Sequence, residues 1–279
     1  MRLSNFNGYF YPFLKEEIEK FIKENEKEIN EIDEEILLAI VPHAGWNYSG
    51  KCALHVYKNL RKVENVIIIA TNHSSIGKVI LSLEDIKTPL GLIKINKEFI
   101  KKILDKIDFS EIDENIHENE HSIEVQLPFL QYYLKKFKLV PILVSNLDRD
   151  EIELFTNFLI ENIDFKNSVI IFSGDMIHHG KIYNFEIFKT NKKENVKNAD
   201  IEIINSILEK NIEKFRELAK KYYTVCGYYS FQIFIEISKK LNLNNKLLCY
   251  YNSADITNDE DIIVGYSSII SYHPNFTTL

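Results

Sequence analysis

Cysteine is scarce in this chain. Cys52, Cys226 and Cys249 are three in number, far apart, and lack a Cys-x-x-Cys spacing. That pattern excludes a disulfide framework and fits a reducing compartment. Glycine is also rare, nine in 279 residues, so each one marks a place where the backbone needs it. No lysine/arginine cluster interleaves with aromatics and the formal charge is −7, which excludes nucleic acid as the main partner. No apolar run approaches the ~18 residues of a membrane helix. The opening Met-Arg-Leu-Ser-Asn-Phe-Asn-Gly lacks the apolar core of a secretory signal. Linkers rich in proline or serine are absent, as are repeats of about 20–50 residues. The expectation is one cytoplasmic domain spanning residues 1–279, with neither membrane nor nucleic acid as partner.

What is present is ample material for a core: 45% of residues are hydrophobic and 27% charged. Apolar, β-rich runs at 36–41, 66–70, 79–83, 92–95, 139–144, 169–172, 247–251 and 262–270 read as strands. Helical stretches are expected at 13–28, 48–60, 97–107, 122–136, 149–162, 196–209, 212–221 and 227–241. Continuous apolar runs such as Val66-Ile67-Ile68-Ile69-Ala70 imply strands buried on both faces. The fold class is α/β, a mixed sheet covered by helices.

Open α/β sheets place ligands beyond the carboxyl ends of their strands. Here the run ending at Val41 enters Pro42-His43-Ala44-Gly45, and the one ending at Ala70 enters Thr71-Asn72-His73. The run ending at Phe172 enters Ser173-Gly174-Asp175-Met176-Ile177-His178-His179. A single histidine in such a loop is usually structural; three histidine-bearing loops at strand ends point to a site. Cys226, at the start of an apolar helical stretch, reads either as a thiolate favoured by the helix dipole or as a small buried residue. Cys52 and Cys249 read as buried residues. The segment His117-Glu118-Asn119-Glu120-His121 matches HExxH, a zinc-protease pattern that needs both histidines on one uninterrupted helix.

The motifs together resemble the Memo family, which is similar in fold to the class III, LigB-type extradiol ring-cleavage dioxygenases. The matching segments include Gly8-Tyr9-Phe10-Tyr11-Pro12, Pro42-His43-Ala44-Gly45-Trp46-Asn47-Tyr48-Ser49-Gly50 and Asn72-His73. They continue with Thr88-Pro89-Leu90-Gly91, the stretch from Glu120-His121-Ser122 to Leu130, Ser173-Gly174-Asp175, Asp255-Ile256-Thr257 and Val264-Gly265-Tyr266. The resemblance implies a LigB-like architecture with a mononuclear metal held by His43, His73 and Cys226. Cys226 stands where the dioxygenases have a carboxylate. The resemblance makes His178 an acid/base group oriented by Asp175, and counts His121, near the pocket wall, with them among the catalytic residues. Tyr11, Trp46 and Tyr48 are expected to form an aromatic, substrate-binding wall.

Two imidazoles and a thiolate suit iron(II) or copper, with zinc the third option. The activity implied is a metal-dependent oxidoreductase of dioxygenase type acting on a small aromatic or diol substrate. A zinc-dependent hydrolase and a non-catalytic adaptor binding a small molecule or peptide are the alternatives. Trp46 replaces the tyrosine usual after His-Ala-Gly, Gly174 replaces a usual serine, and His179 stands where an aromatic is common. These changes affect pocket shape and leave the ligand positions intact.

Overall fold

The computed structural model describes residues 1–274. Its centre is a parallel set of strands in the spatial order Lys138–Val144, Asn65–Thr71, Ser168–Ser173, Leu38–Val41. Their residues are almost all fully buried, as near-continuous Val/Ile/Leu sequences require when helices cover both faces. Ile263–Tyr272 joins antiparallel to Leu38–Val41 and carries Asn244–Asn252 on its other side. Shorter strands Arg2–Leu3, Ile86–Thr88 and Gly91–Ile95 extend the opposite edge, and Val79–Leu81, Ser110–Ile112 and His178–His179 complete a twelve-stranded mixed sheet among the described residues. None of the described helices is long and apolar enough to cross a membrane.

The expected strands at 36–41, 66–70 and 169–172 correspond to Leu38–Val41, Asn65–Thr71 and Ser168–Ser173. Because these three run parallel, their carboxyl ends share one edge, and that edge is where His43, His73 and Asp175 follow.

The helix expected over 122–136 is instead two pieces, His121–Glu124 and Leu127–Leu134. Pro128 sits in the first turn of the second piece. Lacking an N–H and clashing with the preceding turn, proline starts a helix readily but does not continue one. The short pieces Arg2–Leu3, Ser110–Ile112 and Ala254–Thr257 fall below the length at which periodicity is readable.

Candidate metal centre

A cavity of about 710 Å³ lies at the carboxyl edge of the parallel strands, lined by His43, His73, His121, Asp175, His178 and Cys226 among others. Among the described residues, two groups place their donor atoms within 4.8 Å of one another: His43/His73/His121 and His43/Asp175/Cys226. His43 belongs to both. His73 and Cys226, expected with His43 as one ligand set, fall in different groups. The centroids of the His43, His73 and His121 rings are 5.0–5.2 Å apart.

The tautomer of His43 follows from its neighbours. Ser173 Oγ donates its single proton to the Ser122 carbonyl at 2.6 Å and accepts from Gln126 Nε2 at 2.9 Å. Gln126 is itself oriented, because Nε2 also donates to the Pro42 carbonyl while Oε1 accepts from Tyr57 Oη. The Ser173 oxygen is left only as an acceptor toward His43 Nδ1, 3.2 Å away. Nδ1 therefore carries the proton, and Nε2 turns a free lone pair toward Cys226 Sγ at 3.2 Å. Burial, together with the neighbouring histidines, pushes the His43 pKa well down and keeps the ring neutral.

His73 is held from behind by Glu120. Both carboxylate oxygens lie 3.0 Å from Nδ1, and one accepts the His73 backbone N–H at 2.8 Å. Burial opposes a charge on His73, yet the Glu120 hydrogen bond and charge outweigh it and raise the pKa. Burial likewise opposes charge on Glu120, but its bonds to His73 win and hold the carboxyl down at about 2. A carboxylate on one imidazole nitrogen leaves the other facing the cavity, the arrangement that backs metal-ligating histidines. His121 stacks on Phe10 with ring centroids 4.3 Å apart, and burial lowers its pKa to about 4.

Cys226 reaches the site because two backbones touch. A Cβ on Gly174 would lie 2.7 Å from the Cα of Gly227, so the end of Ser168–Ser173 and the start of helix Tyr228–Lys240 can meet only without side chains. That approach lets the Asp175 N–H donate to Cys226 Sγ at 2.9 Å. The replacement of a usual serine by Gly174 thus has a packing reason in this chain.

Asp175 accepts the His43 N–H through Oδ1 at 2.8 Å, and Oδ2 lies 4.0 Å from Nε2 of both His43 and His178. Burial raises its pKa to about 7. The expectation that Asp175 orients His178 needs correction, since 4.0 Å is beyond a hydrogen bond. Backbone carbonyls do that work. His178 Nδ1 faces the oxygens of Met176 and Thr224 at 3.1 and 3.0 Å, which fixes the proton on Nδ1 and leaves Nε2 open to the cavity. Burial lowers the His178 pKa to about 4.

The aromatic wall also needs correction. Tyr48 lines the cavity, with Phe10, Tyr183 and Tyr266 beside it. Tyr11 and Trp46 are buried elsewhere: Tyr11 donates to Glu124 at 3.0 Å, and Trp46 stacks on Phe129 at 3.8 Å and donates to the Val125 carbonyl. Being large and apolar, both are better used filling the core between helices. The HExxH reading fails as well. The helix Glu114–Glu118 stops before His121, and His117 is buried with Nε2 on the Ile80 carbonyl at 3.1 Å.

Sequence reasoning missed Ser173, Gln126 and Tyr57, whose roles arise from contacts between distant segments. Glu120 was visible inside the Glu120-His121-Ser122 motif, without its partner His73.

The Memo-like protein family profile matches residues 2–270. This chain belongs to the Memo family. A MEMO1 family protein of Methanosarcina mazei is 37% identical over 276 residues, covering 97% of this chain and 98% of the relative. Relatives described in the same words from Aquifex aeolicus and Pyrococcus abyssi are 34% and 33% identical, each covering 94% of this chain and 96% of the relative. Family membership agrees with the resemblance drawn from the motifs, and the His/Asp/Cys groups in the cavity make this a candidate metal-binding member.

Proposed function

We propose that this Memo-family chain binds one metal ion through His43, His73 and Cys226 and uses it on a small aromatic or diol substrate. The observation behind this reading is the enforced orientation of two imidazoles. His43 is held through Ser173 and His73 through Glu120, and each turns its free nitrogen into one cavity that also contains a thiol. Two imidazole nitrogens and a sulfur are a soft donor set that suits iron(II) or copper, with zinc the third option. When bound, such an ion supplies Lewis-acid or one-electron chemistry to a coordinated oxygen.

The chain's own residues supply the rest. His178 Nε2, unprotonated and open, accepts a proton from a substrate hydroxyl, and the ring is kept in that tautomer by two carbonyls. Asp175 Oδ2, set between the His43 and His178 nitrogens, takes up or returns a proton near neutral pH. His121, stacked on Phe10, forms the wall beside the ligands, and Tyr48, Tyr183 and Tyr266 line the space for an aromatic ring. Among the described residues no lysine or arginine lines the cavity, which favours a substrate without a carboxylate.

A second reading rests on the His43/His73/His121 group, which offers three nitrogens without the thiol. It suits zinc and hydrolysis. Anaerobic reconstitution with each metal, followed by oxygen uptake on a panel of neutral catechols and hydrolysis of activated esters, separates the two. Oxygen consumed with the iron-loaded protein, lost in His178→Gln, supports the first. Ester turnover with zinc alone supports the second, and tight binding of phenols or peptides with no turnover supports a binding role.

A further inference from the structure

Outside the candidate centre, Cys52 and Cys249 meet where helix Trp46–Tyr57 packs on the strand pair Asn244–Asn252 and Ile263–Tyr272. Cys249 and Ser268 are direct cross-strand partners, so their side chains share one face of the sheet. Cys52 sits over that pair, with Sγ 3.4 Å from Ser268 Oγ and 3.8 Å from the Cys249 carbonyl. Cys249 shares a surface cleft with His55. His55 follows Cys52 by one helical turn and so lies on the same face.

The two sulfurs differ in access. Cys52 is fully buried, whereas Cys249 is half-buried and opens on a cleft of about 370 Å³ lined also by Lys51, His55 and Tyr251. Hydrogen bonding from Cys52, then from His55, lowers the Cys249 pKa against the cost of burial, with Lys51 adding a favourable charge. Burial has the opposite effect on Cys52. A reachable, acidified thiol beside a buried second thiol is the arrangement of a peroxide-sensing pair.

We propose that Cys249 and Cys52 form a peroxide-responsive thiol pair, with Cys249 the attacking sulfur and Cys52 the resolving one. The Cys249 thiolate attacks one oxygen of hydrogen peroxide and breaks the O–O bond. The leaving hydroxide takes up the proton released from Cys249 as water, and a sulfenic acid remains. Cys52 sulfur then attacks the Cys249 sulfur, the S–O bond breaks, and the departing hydroxide leaves as water with the Cys52 proton. Two thiols and one peroxide thus yield one disulfide and two waters. The bridge straps the helix that follows the His43-Ala44-Gly45 loop to the sheet.

Trypsin separates the three cysteines into peptides 52–58, 222–239 and 247–279, so each is followed independently. Folded protein is treated with stoichiometric hydrogen peroxide, blocked with an alkylating agent and mapped by mass spectrometry. A linked 52–58/247–279 peptide, lighter by two hydrogens and restored by dithiothreitol, is expected. In Cys52→Ser, a dimedone probe should label Cys249. Without any variant, iodoacetamide at about pH 6 should alkylate Cys249 in the folded protein about tenfold faster than in urea. The proposal is overturned if Cys249 alkylates more slowly when folded. It is equally overturned if peroxide over-oxidises Cys249 without a link to Cys52, or links either residue to Cys226.

Discussion

A metal-ligating imidazole is oriented by a partner on one ring nitrogen and binds through the lone pair of the other. In this chain a carboxylate holds His73, a serine holds His43, and two carbonyls hold His178. Glu120→Gln should therefore weaken metal binding by about 10–100-fold, measured by competition with a chromophoric chelator, while leaving the fold in place. His117, outside the site, makes a separate prediction. Burial holds its folded pKa at about 3, below the ordinary 6.5, so the unfolded chain binds the extra proton and stability rises with pH across that interval. Urea unfolding of metal-free protein should show stability falling as pH drops below 6.5 toward about 3. His117→Gln, which keeps a donor for the Ile80 carbonyl, should flatten that slope. A slope unchanged by the substitution would contradict the burial argument.

Elements set what residues can do, and here strand ends and a glycine contact do so. Gly174→Ala places a methyl against the Gly227 backbone. The helix carrying Cys226 at its start must then shift, at a cost on the order of 2 kcal/mol, seen as a lower Tm together with weaker metal binding. Trp46→Ala should cost about 3–5 kcal/mol in denaturant unfolding, because the indole is packed on Phe129 and bonded to Val125. A Trp46 that lined the substrate cavity would instead change substrate binding at little cost in stability. The parallel strands were legible because burial on both faces writes uninterrupted apolar runs, and from them followed the His43, His73 and Asp175 loops. Less could be read of the segment 110–137. Its periodicity is cut by Pro128, and its helices are short pieces capped by Asp113 and Glu120. The thiol's arrival beside His43 was not derivable from local sequence, since it depends on two glycines distant along the chain meeting in space. For the same reason Cys52 and Cys249 read singly as buried residues and only the fold makes them a pair.

At the scale of the whole molecule, a parallel sheet gathers ligand-bearing loops along one edge, and antiparallel additions close the cavity with tyrosines and the Ser253–Thr257 turn. The Memo-family relatives match this chain over nearly its whole length, so the comparison bears on the entire arrangement rather than on one motif. The proposed binding of a single metal ion by His43, His73 and Cys226 can be read from X-ray absorption of the anaerobically iron-loaded protein. One ion per chain is expected, with a sulfur scatterer at about 2.3 Å, a typical metal–thiolate distance. That shell should disappear in Cys226→Ser, and the ion should be lost in His43→Ala and His73→Ala. A nitrogen-only shell that persists in Cys226→Ser and is lost in His121→Ala would contradict it.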